Sequence, residues 1–306
     1  MQLIVFYNIT GKKAGETGIS DTKSLKHLFG NFYKDSSGKG YFFSGSFALA
    51  NLRVGNTDSY GVAILNPNSA TQSDVAGNYN FVILENSDRP NICQAHFDVN
   101  NTGFVNNCLG DNVEVNFNWK VSNGIVEVAD NWEQKNIYLK GFFKKATNGR
   151  DLIVFDLINT PNPNGGAVIV ALKANEITAD EIGVSTFYSF DASNPNVTVN
   201  YEKPFGKADV NGTRFSYIEA DTFGNFDPNE TGEGKFILNP TVNGVKYNGL
   251  VRIEEKNNTG GYDITDEYAI IDSVNGYYIS LAMNETDEDG EPNEFYYSIG
   301  SNKPLQ

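Results

Sequence analysis

The chain reads as an all-β protein: two tandem antiparallel β-barrel or β-sandwich modules, with one short helix in an N-terminal insertion. Three observations predict this. Short apolar runs of strand length are broken by turn residues roughly every 8–12 positions, the rhythm of sandwiches and barrels. The aromatic side chains are 16 Tyr and 21 Phe against 2 Trp, and Tyr and Phe suit a pleated, half-buried surface. Strings also recur. Leu3-Ile4-Val5-Phe6 returns as Leu152-Ile153-Val154-Phe155, and more loosely as Tyr268-Ala269-Ile270-Ile271.

Two further stretches recur in the same order. Asp74-Val75-Ala76-Gly77, then Phe81 and Leu84-Glu85, matches Asp209-Val210-Asn211-Gly212, then Phe215 and Ile218-Glu219. Phe97-Asp98-Val99-Asn100 matches Phe236-Ile237-Leu238-Asn239, with Gly103 and Gly244 following. This order predicts three parts: an N-terminal half unit over residues 1–73, free to pack with the first module, a first β module over 74–208, and a second over 209–306.

Within the half unit, Leu3 to Phe6 is a strand whose hairpin partner, Tyr41 to Phe43 and Ser46 to Leu49, lies beyond a long insertion. The insertion holds the predicted helix, capped by Ser20-Asp21-Thr22, with Leu25, Leu28 and Phe29 on one face and Gly30 ending it. The clearest strand is Val113 to Val121. Val113, Val115, Phe117, Trp119 and Val121 alternate with Glu114, Asn116, Asn118 and Lys120, so one face is apolar and the other wet. Asn123-Gly124 then turns the chain into Ile125 to Val128, because Asn-Gly tolerates the positive φ of a tight hairpin. Leu152 to Phe155 pairs with Ala167 to Leu172 across the loop Asn159 to Gly166. In the second unit Val245, Tyr247, Val251 and Ile253 keep the two-residue rhythm, and Asn275-Gly276 joins Ala269 to Ile271 with Tyr277 to Leu281. One hairpin thus carries three loop lengths, which surface loops tolerate at small entropic cost.

With 306 residues and 40% hydrophobic composition, the chain can bury a sizeable core, and the composition is globular. No apolar run approaches the roughly 20 residues of a membrane span. The start lacks the basic leader and apolar stretch of a secretory signal, which leaves a cytoplasmic protein or a chain beginning after a removed leader. Cys93 and Cys108 flank a predicted hairpin, a spacing that permits a disulfide across neighbouring strands; the alternative is two buried thiols. A disulfide implies export. The net charge of −15 is uneven: residues 1–150 carry 14 basic and 13 acidic side chains, and residues 151–306 carry 9 and 25. Nucleic acid is thereby disfavoured as a partner, since phosphate contacts need a basic surface. Lys12, Lys13, Lys23, Lys26, Lys34 and Lys39 make the opening basic, so solubility or end-to-end attraction between copies follows from the polarity.

The chemical repertoire is thin. His27 lies in the predicted helix and His96 just before a strand, and both read as structural. No Gly-x-Ser-x-Gly elbow is present. Gly11 to Gly18 lacks the closing Gly-Lys-Ser/Thr of a phosphate loop. Asp and Glu are plentiful enough for a paired-carboxylate hydrolase, but nothing selects a pair. The densest oxygen cluster runs from Asp287 to Glu291. There Asp287, Asp289 and Glu291 are a speculative calcium set beside the reading as a solvated acidic turn, since the full 12-residue loop pattern is missing. No other cofactor is expected. Asn-x-Ser/Thr occurs at Asn8, Asn100, Asn196, Asn211, Asn229, Asn257 and Asn284, which marks surface loops more than glycosylation.

Gly77-Asn78-Tyr79-Asn80-Phe81, Cys93 before Phe97-Asp98-Val99-Asn100 and Gly103, Cys108, and Leu152 to Leu157 together resemble a group of uncharacterised proteobacterial secreted proteins and lipoproteins of tandem β-repeat type, over about half the chain. The resemblance implies export and β-structure and no particular activity. The second unit lacks both cysteines, so a disulfide is not general to the repeat. The expected function is non-catalytic: adhesion or head-to-tail assembly at the cell surface or outside it, with other copies or another surface protein as partner. Leu3, Ile4, Val5 and Phe6 are the candidate exchanged strand, because a half unit leaves a sheet edge able to accept one. The alternative is a carrier of a small apolar ligand in a calycin-like barrel, where Gly77-x-Tyr79 at a strand start resembles a lipocalin.

Overall fold

A computed structural model of the chain describes residues 32–34, 40–42, 47–54, 57–64, 68–85, 91–109, 114–131, 136–146, 149–157, 167–191, 206–220, 225–274, 277–284 and 296–301. The described chain is all-β and antiparallel, apart from two one-turn helices. Contacts divide it into two units, one holding Ser46–Ala174 and the other Phe29–Gly45 with Asn175–Gln306, and each is described by itself.

Short strands come first: β1 (Phe32–Lys34) with β2 (Gly40–Phe42), then the hairpin of β3 (Phe47–Val54) and β4 (Thr57–Ile64). Helix α1 (Gln72–Val75) follows and leads directly into β5 (Gly77–Glu85). From there the chain meanders through β6 (Asn91–Phe97), β7 (Thr102–Asn106), β8 (Val115–Ser122), β9 (Ile125–Asn131), β10 (Asn136–Lys144), β11 (Leu152–Leu157) and β12 (Ala167–Lys173). Each strand pairs with the next, and β12 returns to β5 with Val170 opposite Val82, so the eight strands close a barrel. The expected turn at Asn123-Gly124 is present, with φ of 52° and 77°. The hairpin expected of Leu152 to Phe155 with Ala167 to Leu172 is β11 and β12, with Phe155 opposite Ile169.

The barrel is filled. Phe97 lies 5.2 Å from Phe117, 5.2 Å from Trp119, 5.4 Å from Tyr79, 6.0 Å from Phe81 and 6.2 Å from Phe155, centroid to centroid. Trp119 is fully buried, and its indole N–H donates to the carbonyls of Asp98 and Thr102 at 3.0 and 2.9 Å. An interior aromatic can sit there because its one polar atom is satisfied.

Helix α1 closes one end. Asn68 N–H donates to Phe143 O at 2.8 Å, and Val121 N–H donates to the Gln72 side chain at 3.1 Å, so the segment is sewn across the barrel. Thr71 caps the helix and Asp74 reaches back in a capping box, while Val75 enters the core fully buried. The same device opens the second part. Thr178 caps α2 (Ala179–Ile182), Glu181 completes the box, and Ile182 is buried.

After α2 come β13 (Val184–Asp191), β14 (Gly206–Asn211), β15 (Arg214–Ala220) and β16 (Phe226–Leu238). A small excursion, β17 (Thr241–Val242) against β18 (Val245–Lys246), precedes β19 (Leu250–Lys256), β20 (Tyr262–Val274), β21 (Tyr277–Asn284) and β22 (Tyr296–Ser301). Neighbours pair antiparallel, and β22 returns to β13 with Ile299 opposite Phe190.

The strings that suggested the repeat do not occupy matching places. Asp74 to Gly77 is helix running into the first strand of its barrel, whereas Asp209 to Gly212 is the end of a second strand and its turn. Leu152 to Phe155 lies in the seventh strand of its circuit and Tyr268 to Ile271 in the sixth of the other. Phe97 ends a second strand, and Phe236 lies in a fourth. Short apolar strings recur wherever strands bury a face, so they align without structural equivalence. Residues 208 and 209, the expected module boundary, both lie within β14. Leu3 to Phe6 and the helix expected over residues 20–30 lie outside the described residues.

Candidate functional site

The expected site residues separate into three groups. Leu3, Ile4, Val5 and Phe6, together with His27 and the acidic set Asp287, Asp289 and Glu291, lie outside the described residues. Cys93 and Cys108 form a disulfide, with Cα atoms 4.0 Å apart. Gln94 faces Asn106 in the register of β6 and β7, and both cysteines lie just beyond that rung on the same side. His96 is on the barrel wall, half-buried, with Nδ1 2.6 Å from Asn78 Oδ1. Among the described residues no group of three His, Cys, Asp or Glu side chains gathers where it could hold a metal ion.

One polar cluster sits beside α1. Asp151 is buried, accepting from Ala146 N–H at 3.0 Å and lying 3.3 Å from Lys173 Nζ. Lys173 in turn lies 6.0 Å from the centre of the Tyr79 ring and donates to Asp74 O at 3.4 Å. Burial pushes the Tyr79 hydroxyl far above its ordinary range, with the charges of Asp151 and Asp74 adding to the effect. Hydrogen bonds from Thr71, and then Lys145 at 3.2 Å, hold the Asp74 carboxyl below its ordinary value. The arrangement neutralises buried charge at the barrel end.

The outer wall of the first barrel has two different sides. Side chains alternate along a strand, so the residues between the core-facing Ile153, Phe155, Ile169 and Ala171 point outward. These are Leu152, Val154, Val170 and Leu172, and all are buried. Register extends the patch: Val154 faces Val170, Val170 faces Val82, and Val82 faces Ile92, both of these buried as well. Strand β4 lies near β11 and β12, while pairing with β3. Strands apolar on both faces read as unbroken hydrophobic runs, which is why Leu152 to Phe155 shows no alternation.

Toward the other end of β5 and β6, and on across β7 and β8, the outward face is polar. Asn78 faces His96, His96 faces Phe104 and Phe104 faces Asn116, one outward row across four strands. Asn78 and Asn116 are exposed, and Phe104 is 37% exposed. The His96 and Phe104 rings stack with centroids 5.4 Å apart and planes 27° from parallel. Farther round, Lys120 and Lys140 both approach Glu127, at 3.5 and 3.7 Å. Sequence reading treated the alternate residues of this region as a wet face and did not single out Phe104. Its signal was an aromatic at the outward phase of a strand.

In the second barrel Val210, Val251 and Ala269 are buried. Phe215 stacks on Phe236 at 4.8 Å, yet these two residues, Leu238 and Ile253 are all half-buried. Gly232 and Gly234 lie beneath Tyr217 and Phe215: a Cβ would come within 2.5 Å of the Tyr217 ring and 2.2 Å of the Phe215 ring. Burial pushes the Glu254 carboxyl up, but Lys235 at 2.9 Å and Arg252 outweigh it and hold the group below its ordinary value.

No protein-family model matches the chain, and no curated protein shows significant similarity to it. No helix among the described residues is long and apolar enough to cross a membrane.

Proposed function

We propose that the chain is a non-catalytic protein of the cell surface or extracellular space, acting by adhesion or head-to-tail assembly with other copies of itself or another surface protein. The observation that supports this is the buried apolar outer wall of β11, β12 and β5, near which a strand of a separate hairpin lies. A barrel needs no such wall for closure, and an apolar wall near a tethered strand can equally take a strand from a second copy. The Cys93–Cys108 disulfide supports an oxidising location. Two tandem modules are part of the proposal, supported by the capping-box helix that precedes each eight-stranded circuit.

In the sharper form, residues 1–9 are the exchanged strand, since Leu3 to Phe6 repeats the string of the wall strand β11. Native mass spectrometry of the full chain over a rising concentration series tests it. Oligomers that vanish when residues 1–9 are deleted are expected; a monomer at every concentration, or oligomers that survive the deletion, overturns the exchange.

A second reading, carriage of a small apolar ligand, is favoured by the half-buried Phe215, Phe236, Leu238 and Ile253 inside the second barrel. The same spectra decide it. A small molecule retained on the wild-type chain and lost from Phe236→Ala supports the reading; a bare chain from its native source counts against it.

A further inference from the structure

We propose that the outer face of β5 to β8 in the first barrel binds a neutral glycan. The inference deepens the adhesion reading and rests on it, by naming the ligand class that adhesion would use.

The row Asn78, His96, Phe104 and Asn116 supplies what a sugar requires. Each asparagine amide carries both a donor and an acceptor on one planar group, matching a sugar hydroxyl, which is also both. Phe104 offers an apolar ring to the C–H face of a pyranose, and this ring is 37% exposed. The platform is also held in advance. Asn78 fixes His96 through the 2.6 Å contact, and His96 fixes Phe104 through the 5.4 Å stack. An aromatic already held in place loses little freedom on binding. The row spans three strand spacings, about 14 Å, enough for a short oligosaccharide rather than a single ring.

Charge selects among possible ligands. The row carries no Asp, Glu, Lys or Arg, and Lys120, Lys140 and Glu127 beside it pair with one another. With no cation in the row, nothing there pairs with the charge of a sialylated or sulfated glycan or of nucleic acid. A folded protein partner needs roughly 800 Å² of complementary surface with an apolar centre, and a single exposed ring among amides does not provide that centre. A neutral, hydroxyl-rich ligand meets every feature of the row.

The test applies the disulfide-intact full chain to an array of neutral and acidic oligosaccharides, then titrates the captured neutral glycans by calorimetry at 50 and 500 mM NaCl. Capture of at least one neutral oligosaccharide is expected, with affinity nearly independent of salt. Phe104→Ala should weaken it at least tenfold and Asn116→Ala several-fold. Val184→Ser, at an 82% exposed position in the other barrel, should leave it unchanged. If Phe104→Ala melts early, Phe104→Leu keeps apolar cover over His96 while removing the flat ring, and it should lose binding with its melting temperature retained. Failure to capture any neutral glycan, affinity unchanged in both Phe104 variants, or salt-sensitive capture of acidic glycans alone would overturn the proposal. Cell adhesion and self-association measured on the same preparation separate the two ideas: if either persists without glycan capture, only the glycan assignment falls.

Discussion

Phe97 in the first barrel is ringed by Tyr79, Phe81, Phe117, Trp119 and Phe155 and is 1% exposed. Phe215 in the second barrel stacks on Phe236 at 4.8 Å, but both remain half-buried. Each barrel has eight antiparallel strands and follows a capping-box helix, so the scaffold does not explain the difference. At the described positions side-chain volume does. The first barrel brings large rings from β5, β6, β8 and β11 to one point. The second places Gly232 and Gly234 in succession on one inner face of β16, beneath Tyr217 and Phe215. At eight strands a barrel is just wide enough for side chains to fill or for one small ligand to occupy.

The largest expected break in this comparison is Phe97→Ala. Removing the central ring should cost about 3–5 kcal/mol, and Phe215→Ala about half of that because its ring is only half-buried. Urea unfolding of the two variants measures the contrast; equal losses would mean that the second interior is as tightly packed as the first. Next is the disulfide. Replacing Cys93 and Cys108 by Ala should cost about 3 kcal/mol for a loop of this length. The loss should be confined to the first barrel, read from hydrogen exchange in β5 to β8 against β14 to β19. Gly234→Ala sharpens the comparison from the other side. Its Cβ would come within 2.2 Å of the Phe215 ring and 2.8 Å of Glu254 O, so about 1–3 kcal/mol should be lost.

The smallest effect concerns the helix that closes the first barrel. Thr71→Ala should cost about 1 kcal/mol by removing the cap. Asp74 then adds a pH dependence. Thr71 and Lys145 hold its carboxyl below the ordinary value of 3.8. A lowered folded value means that the stabilisation is complete above the unfolded value and disappears as pH falls through the folded one. Thermal melts from pH 5 to pH 2 should show a loss in the wild type that Asp74→Asn lacks. Identical acid profiles would show that the capping carboxylate contributes nothing.

Much of the fold was legible in the residues. The alternation through Phe117 and Trp119, the Asn123-Gly124 turn, the pairing of Leu152 to Phe155 with Ala167 to Leu172, and the Cys93–Cys108 bond all follow from local rules of strand period, turn chemistry and cysteine spacing. Two further signals were present that the sequence reading did not use. Thr71-x-x-Asp74-Val75 and Thr178-x-x-Glu181-Ile182 are capping boxes, each ending in a buried apolar side chain, yet each helix lasts one turn and falls below the length at which helical periodicity shows. The candidate sites were less legible. Phe104 looks like any outward strand residue until the register sets His96 beside it and Asn116 beyond.

By itself the sequence determined that this protein is antiparallel β, where many of its strands turn, and which two cysteines lie within reach, because period, turn propensity and spacing act over a few residues. Only the tertiary structure decided that the strands close into circuits of eight, that rings from four strands of the first barrel meet around Phe97, and that its outer wall carries both an apolar patch and an amide-rich row. Those properties depend on which strands become neighbours, and a pairing between residues nearly ninety positions apart, such as Val82 with Val170, leaves no local trace in either segment.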